Sequence, residues 1–226
     1  MLTAAWAARH NIIDASQLPD VEYQEVSADA ITWRSEWLIF TATSDSLQLL
    51  TDNEAQVGPL RDVAIAVLRS LPDTPVIALG INYAIHFAVG GRENAHKLAD
   101  TIAPKDIWGD ALPLGGLLGL TLQSNRPGLD AGRVTTRIEP STLIPPNGFF
   151  VTVNDHYDLW RLEEPILSRD DVPSAPAPPT TIEAQWELGQ GARVVAIEVL
   201  ERVWNDSNRR ATEIFEKAYS FTGQRP

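Results

Sequence analysis

Between Pro75 and Val89 the chain alternates strictly, with Ile77, Leu79, Ile81, Tyr83, Ile85, Phe87 and Val89 on one parity and Val76, Ala78, Gly80, Asn82, Ala84, His86 and Ala88 on the other. A strand points successive side chains to opposite faces, so this stretch predicts a long strand with one large apolar face and one small face carrying Asn82 and His86. Shorter runs at 21–26, 30–34, 36–42 and 46–50 are separated by polar turn residues such as Ser44 and Asp45, and predict an antiparallel meander. A second meander is expected from 117–126, 131–139 and 148–157, with turn-forming Asn125-Arg126-Pro127-Gly128 and Pro145-Pro146-Asn147-Gly148 between its strands.

Helical spacing appears in three places. After Pro59, residues Leu60, Val63, Ala64, Val67, Leu68 and Leu71 recur at i, i+3, i+4 and i+7, and Pro at a first turn loses no needed donor. Residues 92–102 place Ala95, Leu98, Ala99 and Ile102 on one stripe, and Pro104 stops them. From Ala192 to about Ser220 a narrow seam of Ala196, Leu200, Val203, Ser207, Ala211, Ile214 and Ala218 predicts a long helix, which must cover a sheet or pair with a copy of itself. The fold class is therefore α+β: two antiparallel β-meanders with a long central strand, two short helices and one long C-terminal helix.

Domain organisation follows from the prolines. Pro165, Pro173, Pro176, Pro178 and Pro179 exclude a helix or central strand from residues 163–180, which read as an extended linker. Residues 1–162 form the α+β core, with a reading as two similar lobes over 1–89 and 90–162, and residues 181–226 carry the C-terminal helix, docked on the core or on a partner.

With 226 residues the chain can bury a sizeable core. The absence of cysteine excludes disulfides, thiolate metal sites and cysteine nucleophiles. A formal net charge of -12 repels phosphate backbones, and the densest positive spots, Arg133 with Arg137 and Arg209 with Arg210, form no basic block, so nucleic acid is not an expected partner. No apolar run approaches the ~18 residues of a membrane span, and the N-terminal residues have neither a basic start nor a long apolar centre. These features set the expectation of a cytosolic bacterial protein.

Candidate chemistry concentrates on two strands. Asn82 and His86 share a face, roughly 13 Å apart along it, and Phe149 to Asp158 adds Asp155, His156 and Asp158 if the strands pair. A histidine with a carboxylate and an asparagine can orient water for general-base work, which makes Asn82, His86, Asp155 and His156 the catalytic candidates. The structural alternative is hydrogen bonding of these groups within a buried strand. There is no HExxH, no GxSxG and no phosphate-loop signature, so the pattern assigns no metal and no cofactor. Seven tryptophans are many for the length; Trp160 and Trp186 bracket the linker and, with Leu200 and Trp204 of the long helix, are the partner-binding candidates.

The string GINYAIH, Gly80 to His86, resembles the GxNYxxH signature of fumarylacetoacetate hydrolase-type enzymes, over about ten residues. That resemblance implies a magnesium ion held by a downstream ExE pair and a further acid, and no ExE occurs in this chain. More diffusely, the layout is similar to sporadically distributed bacterial proteins of α+β build. The functional expectation is a protein-binding or assembly module without catalytic activity, acting as a homodimer or with a protein partner. The alternative is a hydrolase-like enzyme with its Asn/His/Asp site at the ends of the two strands.

Overall fold

Trp33 and Phe40 show how the first sheet is built. They sit directly opposite each other on neighbouring strands, their rings stack at 4.8 Å between centroids, and both are fully buried. The strands are β1 (Glu22–Val26), β2 (Ala30–Arg34), β3 (Ile39–Thr43) and β4 (Leu47–Leu50), antiparallel in the order β1-β2-β3-β4. The third begins later than the expected residue 36, because Ser35 turns the chain by donating its amide to Leu38. A short N-terminal helix, α1 (Ala4–Arg9), was not legible from spacing; Thr3 caps it, and its Ala4 and Ala7 join a core with Ile31, Trp33, Leu38 and Phe40. Helix α2 (Val57–Ser70) closes this core with Val63 and Val67, and Pro59 lies in its first turn.

The structure, a computed structural model, describes residues 2–112, 115–126, 132–159 and 181–221. The expected linker at 163–180 and Trp160 lie outside the described residues. The chain divides into two compact units, Met1–Thr74 with Arg193–Glu201, and Pro75–Ala192 with Arg202–Pro226.

The second unit holds the long strand, β5 (Ala78–Ala88), then α3 (Arg92–Ile102), β6 (Leu120–Asn125), β7 (Gly132–Pro140) and β8 (Gly148–Asp158). Its antiparallel sheet runs β5-β8-β7-β6, so the strand that is central in the sequence lies at an edge, paired with β8 along its whole length from Ala78↔Asp158 to Ala88↔Gly148. This pairing places β5 in the second unit, with the division before Pro75.

One face of this sheet is apolar. Phe87, Val89, Ile138, Phe149 and Val151 pack on Leu98 of α3 and on Ala218 of the last helix, α4 (Ile182–Ser220), while Val134 and Val153 meet Ala211. Each fully buried Leu, Val or Phe there contributes about 1.5–3 kcal/mol. The seam of α4 is buried as its spacing requires, and within the second unit its C-terminal half covers the chain's own sheet.

Helix α4 begins at Ile182, inside the expected 181–226 and ten residues before the clear seam that opens at Ala192. Gly189 and Gly191 lower the helical signal there. Gly189 is required by a close approach: a β-carbon would sit 2.5 Å from Pro75, and its carbonyl accepts from the Val76 amide at 3.3 Å. Among the described residues no helix is long and apolar enough to cross a membrane.

Candidate functional site

The alternation of β5 and β8 separates the candidate residues onto two faces. Asn82, His86 and His156 lie on the open face, whereas Asp155 follows Phe149, Val151 and Val153 onto the helix-covered face and is 1% exposed. The four therefore do not surround one pocket.

On the open face Asn82 and Asn154 are in register, and the Asn154 amide donates to Asn82 Oδ1. His156, opposite Gly80 on one side and Arg133 on the other, lies beside them. Its Nε2 is 3.0 Å from Asp158 Oδ1, and the Arg133 guanidinium is 3.8 Å from the same oxygen. The carboxylate partner of His156 is thus Asp158, two residues along the same face, and not the adjacent Asp155.

Burial pushes the His156 pKa below its ordinary value, Arg133 adds to the effect, and Asp158 opposes it. The ring is neutral at neutral pH, with Nε2–H donated to Asp158 and Nδ1 left as an acceptor. A neutral imidazole oriented by a carboxylate is suited to proton abstraction.

His86 lies at the other end of β5. Its ring stacks on Phe150 at 4.3 Å, and its Nδ1 is 2.8 Å from Ser141 Oγ. That oxygen already accepts from the Leu143 and Ile144 amides, so its proton points to His86 and fixes the Nε2–H tautomer. This histidine holds the turn between β7 and β8.

The lowered His156 pKa has a measurable consequence. The unfolded chain, with an ordinary pKa near 6.5, takes up a proton before the folded one does. Stability from this group is therefore complete above about pH 6.5 and is lost as pH falls below it. In thermal melts from about pH 7.5 to 5, His156→Gln should show a shallower decline than the parent. Equal slopes would place the titration elsewhere.

The covered face holds a group that spacing did not reveal. Asp155 accepts from Arg126 Nη1 at the end of β6, and from Arg210 Nη1 of α4 at 2.6 Å. Tyr157 Oη lies 3.4 Å from its second oxygen, and the Arg126 guanidinium stacks over the Tyr157 ring at 3.7 Å. Burial raises the Tyr83 pKa, with the nearby Ser207 hydroxyl opposing and Asp155 adding to it, so the phenol is neutral. One carboxylate against two guanidiniums ties β6, β8 and α4 together.

Among the described residues no group of three His, Asp or Glu side chains is placed to hold a metal, so the magnesium site implied by the GxNYxxH resemblance does not assemble there. Of the partner-binding candidates, Leu200 and Trp204 are buried in the chain's own packing and Trp186 is exposed. Among the described residues, four exposed large apolar side chains follow α3 in sequence: Ile107 (76% exposed), Trp108 (58%), Leu112 (51%) and Leu118 (90%). Comparison with protein-family models, with curated proteins and with solved structures finds no match.

Proposed function

We propose that the chain acts through protein contact, as a binding or assembly module in the bacterial cytosol. The observation that carries this reading is that four large apolar side chains after α3, Ile107, Trp108, Leu112 and Leu118, are each half or more exposed. Apolar surface in water costs about 25 cal/mol per Å², and concentrated patches of it mark interaction sites. Three of the four candidate catalytic groups support the same reading, since Asn82 bonds Asn154, His86 bonds Ser141 and Asp155 is enclosed by arginines, while His156 with Asp158 is what the hydrolase-like alternative would use.

Chemical cross-linking in intact cells tests it. The parent chain should be recovered in a higher-mass species that Trp108→Asp depletes, while Trp108→Asp keeps its level and melting temperature. A parent recovered only at its own mass would defeat the contact reading. So would hydrolysis of an ester substrate that His156→Ala abolishes, since that would favour the hydrolase-like alternative.

A further inference from the structure

We propose that the free edge of β5 pairs with β5 of a second copy of this chain, antiparallel about a two-fold axis, so that the second unit's sheet continues across the two copies. This seam uses a surface other than the exposed side chains after α3 and goes beyond the contact reading above.

The edge is open. Leu159 donates its amide to the Ile77 carbonyl and Val89 to the Asn147 carbonyl, so the odd-numbered residues of β5 bond β8. The backbone N–H and C=O groups of Ala78, Gly80, Asn82, Ala84, His86 and Ala88 therefore point away from β8, and among the described residues none of them has a backbone partner. All of these residues except His86 are exposed.

Edge strands are kept from pairing with other chains by being short, by charges, by proline or by bulges. Of the other three sheet edges, β1 has five residues with Glu22, Glu25 and a register shift, β4 has four residues and β6 has six. β5 has eleven, with no charge, no proline and no shift in its pairing with β8. Nothing in the strand blunts it.

The pattern of β5 selects its own copy as the occupant. A strand added here must put large apolar side chains beside Leu79, Tyr83 and Ile85, which are only half-buried, and small uncharged ones beside Ala78, Gly80 and Ala84. β5 itself has that alternation over its full length. An antiparallel register centred on Tyr83 sets Ala78 opposite Ala88, Gly80 opposite His86 and Asn82 opposite Ala84 of the copy, with Leu79 against Phe87 and Ile81 against Ile85 on the apolar face. It forms about twelve backbone hydrogen bonds. A two-fold axis makes each contact twice from one strand, so no further surface is needed. The net charge of -12 does not oppose this seam, since β5 carries none of it. Asp158 is paired with Ala78 at one end, which keeps the two copies' Asp158 residues about 34 Å apart, beyond the reach of screened repulsion.

The chain has no cysteine, so introduced disulfides read the register directly. With Ala78 and Ala88 both replaced by cysteine, the two positions meet across the seam at about 5.5 Å between Cα atoms, within disulfide range. Within one copy they are about 34 Å apart. Oxidation of the Ala78→Cys, Ala88→Cys double variant should give a disulfide-linked dimer on non-reducing gels, and either single variant should stay at the monomer mass there. Sedimentation velocity of the parent over about 1 to 100 µM should show a reversible monomer–dimer equilibrium, unchanged in Trp108→Asp. Ala84→Pro removes an outward donor and no bond to β8, and it should weaken the dimer by about tenfold or more, because the two-fold axis loses that bond twice. A parent that is monomeric throughout, a double variant that does not cross-link, or single variants that cross-link equally well would each overturn the proposal. If Ala84→Pro fails to fold, the double variant decides. A dimer that Trp108→Asp dissolves and the cysteine pair does not link would overturn the β5 seam and leave the contact reading standing.

Discussion

Asp155→Ala is expected to lower stability by about 3–5 kcal/mol, the largest loss from any single charge in the second sheet. The carboxylate is 1% exposed and accepts from both Arg126 and Arg210. Removing it leaves Arg126, itself buried, with its charge uncompensated against the Tyr157 ring. Water cannot replace the lost partner without opening the contact between α4 and the sheet. Arg210→Gln should cost less, because that side chain is 23% exposed and the carboxylate keeps Arg126. Chemical denaturation of the two variants gives both numbers. A loss below about 1 kcal/mol for Asp155→Ala, the scale of an exposed ion pair, would show that the network is solvated and does not tie the elements together.

The same residue marks where sequence reading stopped. Hydrophobic alternation made both faces of β5 legible, and helical spacing placed α3 at 92–102 and the buried seam of α4. These patterns are local, so a window of residues contains the whole signal. Alternation along β8 also puts Asp155 in line with Phe149, Val151, Val153 and Tyr157, and a lone acid on an apolar face signals a buried ion pair. Its partners are 29 and 55 residues away, on other elements, and only the assembled sheet brings them together. His156 shows the converse: the sequence leaves Asp155 or Asp158 open as its carboxylate, and the period of two selects Asp158. The long strand's place at the sheet edge was likewise set by long-range pairing with β8. Ile107, Trp108 and Leu112 carry neither helical nor strand periodicity, and Leu118 falls in the expected strand 117–126 but precedes β6, which begins at Leu120; their exposure is a property of the folded chain.

Gly132→Ala should be nearly as damaging as the loss of Asp155, at about 4 kcal/mol, combining overpacking with backbone strain. Gly132 opens β7 opposite Tyr157 with a φ of 147°, and a β-carbon there would overlap the His156 carbonyl and press on the Tyr157 Cα at 3.1 Å. Those neighbours are backbone atoms of a paired strand, so no flexible side chain can move aside. The Gly132 carbonyl also accepts from the Arg126 amide, so any shift moves the arginine that holds Asp155. Two other glycines separate the causes. Gly91 has a positive φ of 124° with open space around it, and Gly91→Ala should cost only the strain, about 1 kcal/mol. Gly116 has open space and no such backbone constraint, and Gly116→Ala should stay within about 0.5 kcal/mol of the parent. Melting curves of the three variants should therefore rank Gly132 far below Gly91, and Gly91 below Gly116. If Gly132→Ala melts with Gly91→Ala, the close approach of β7 to β8 is not what fixes glycine at that position.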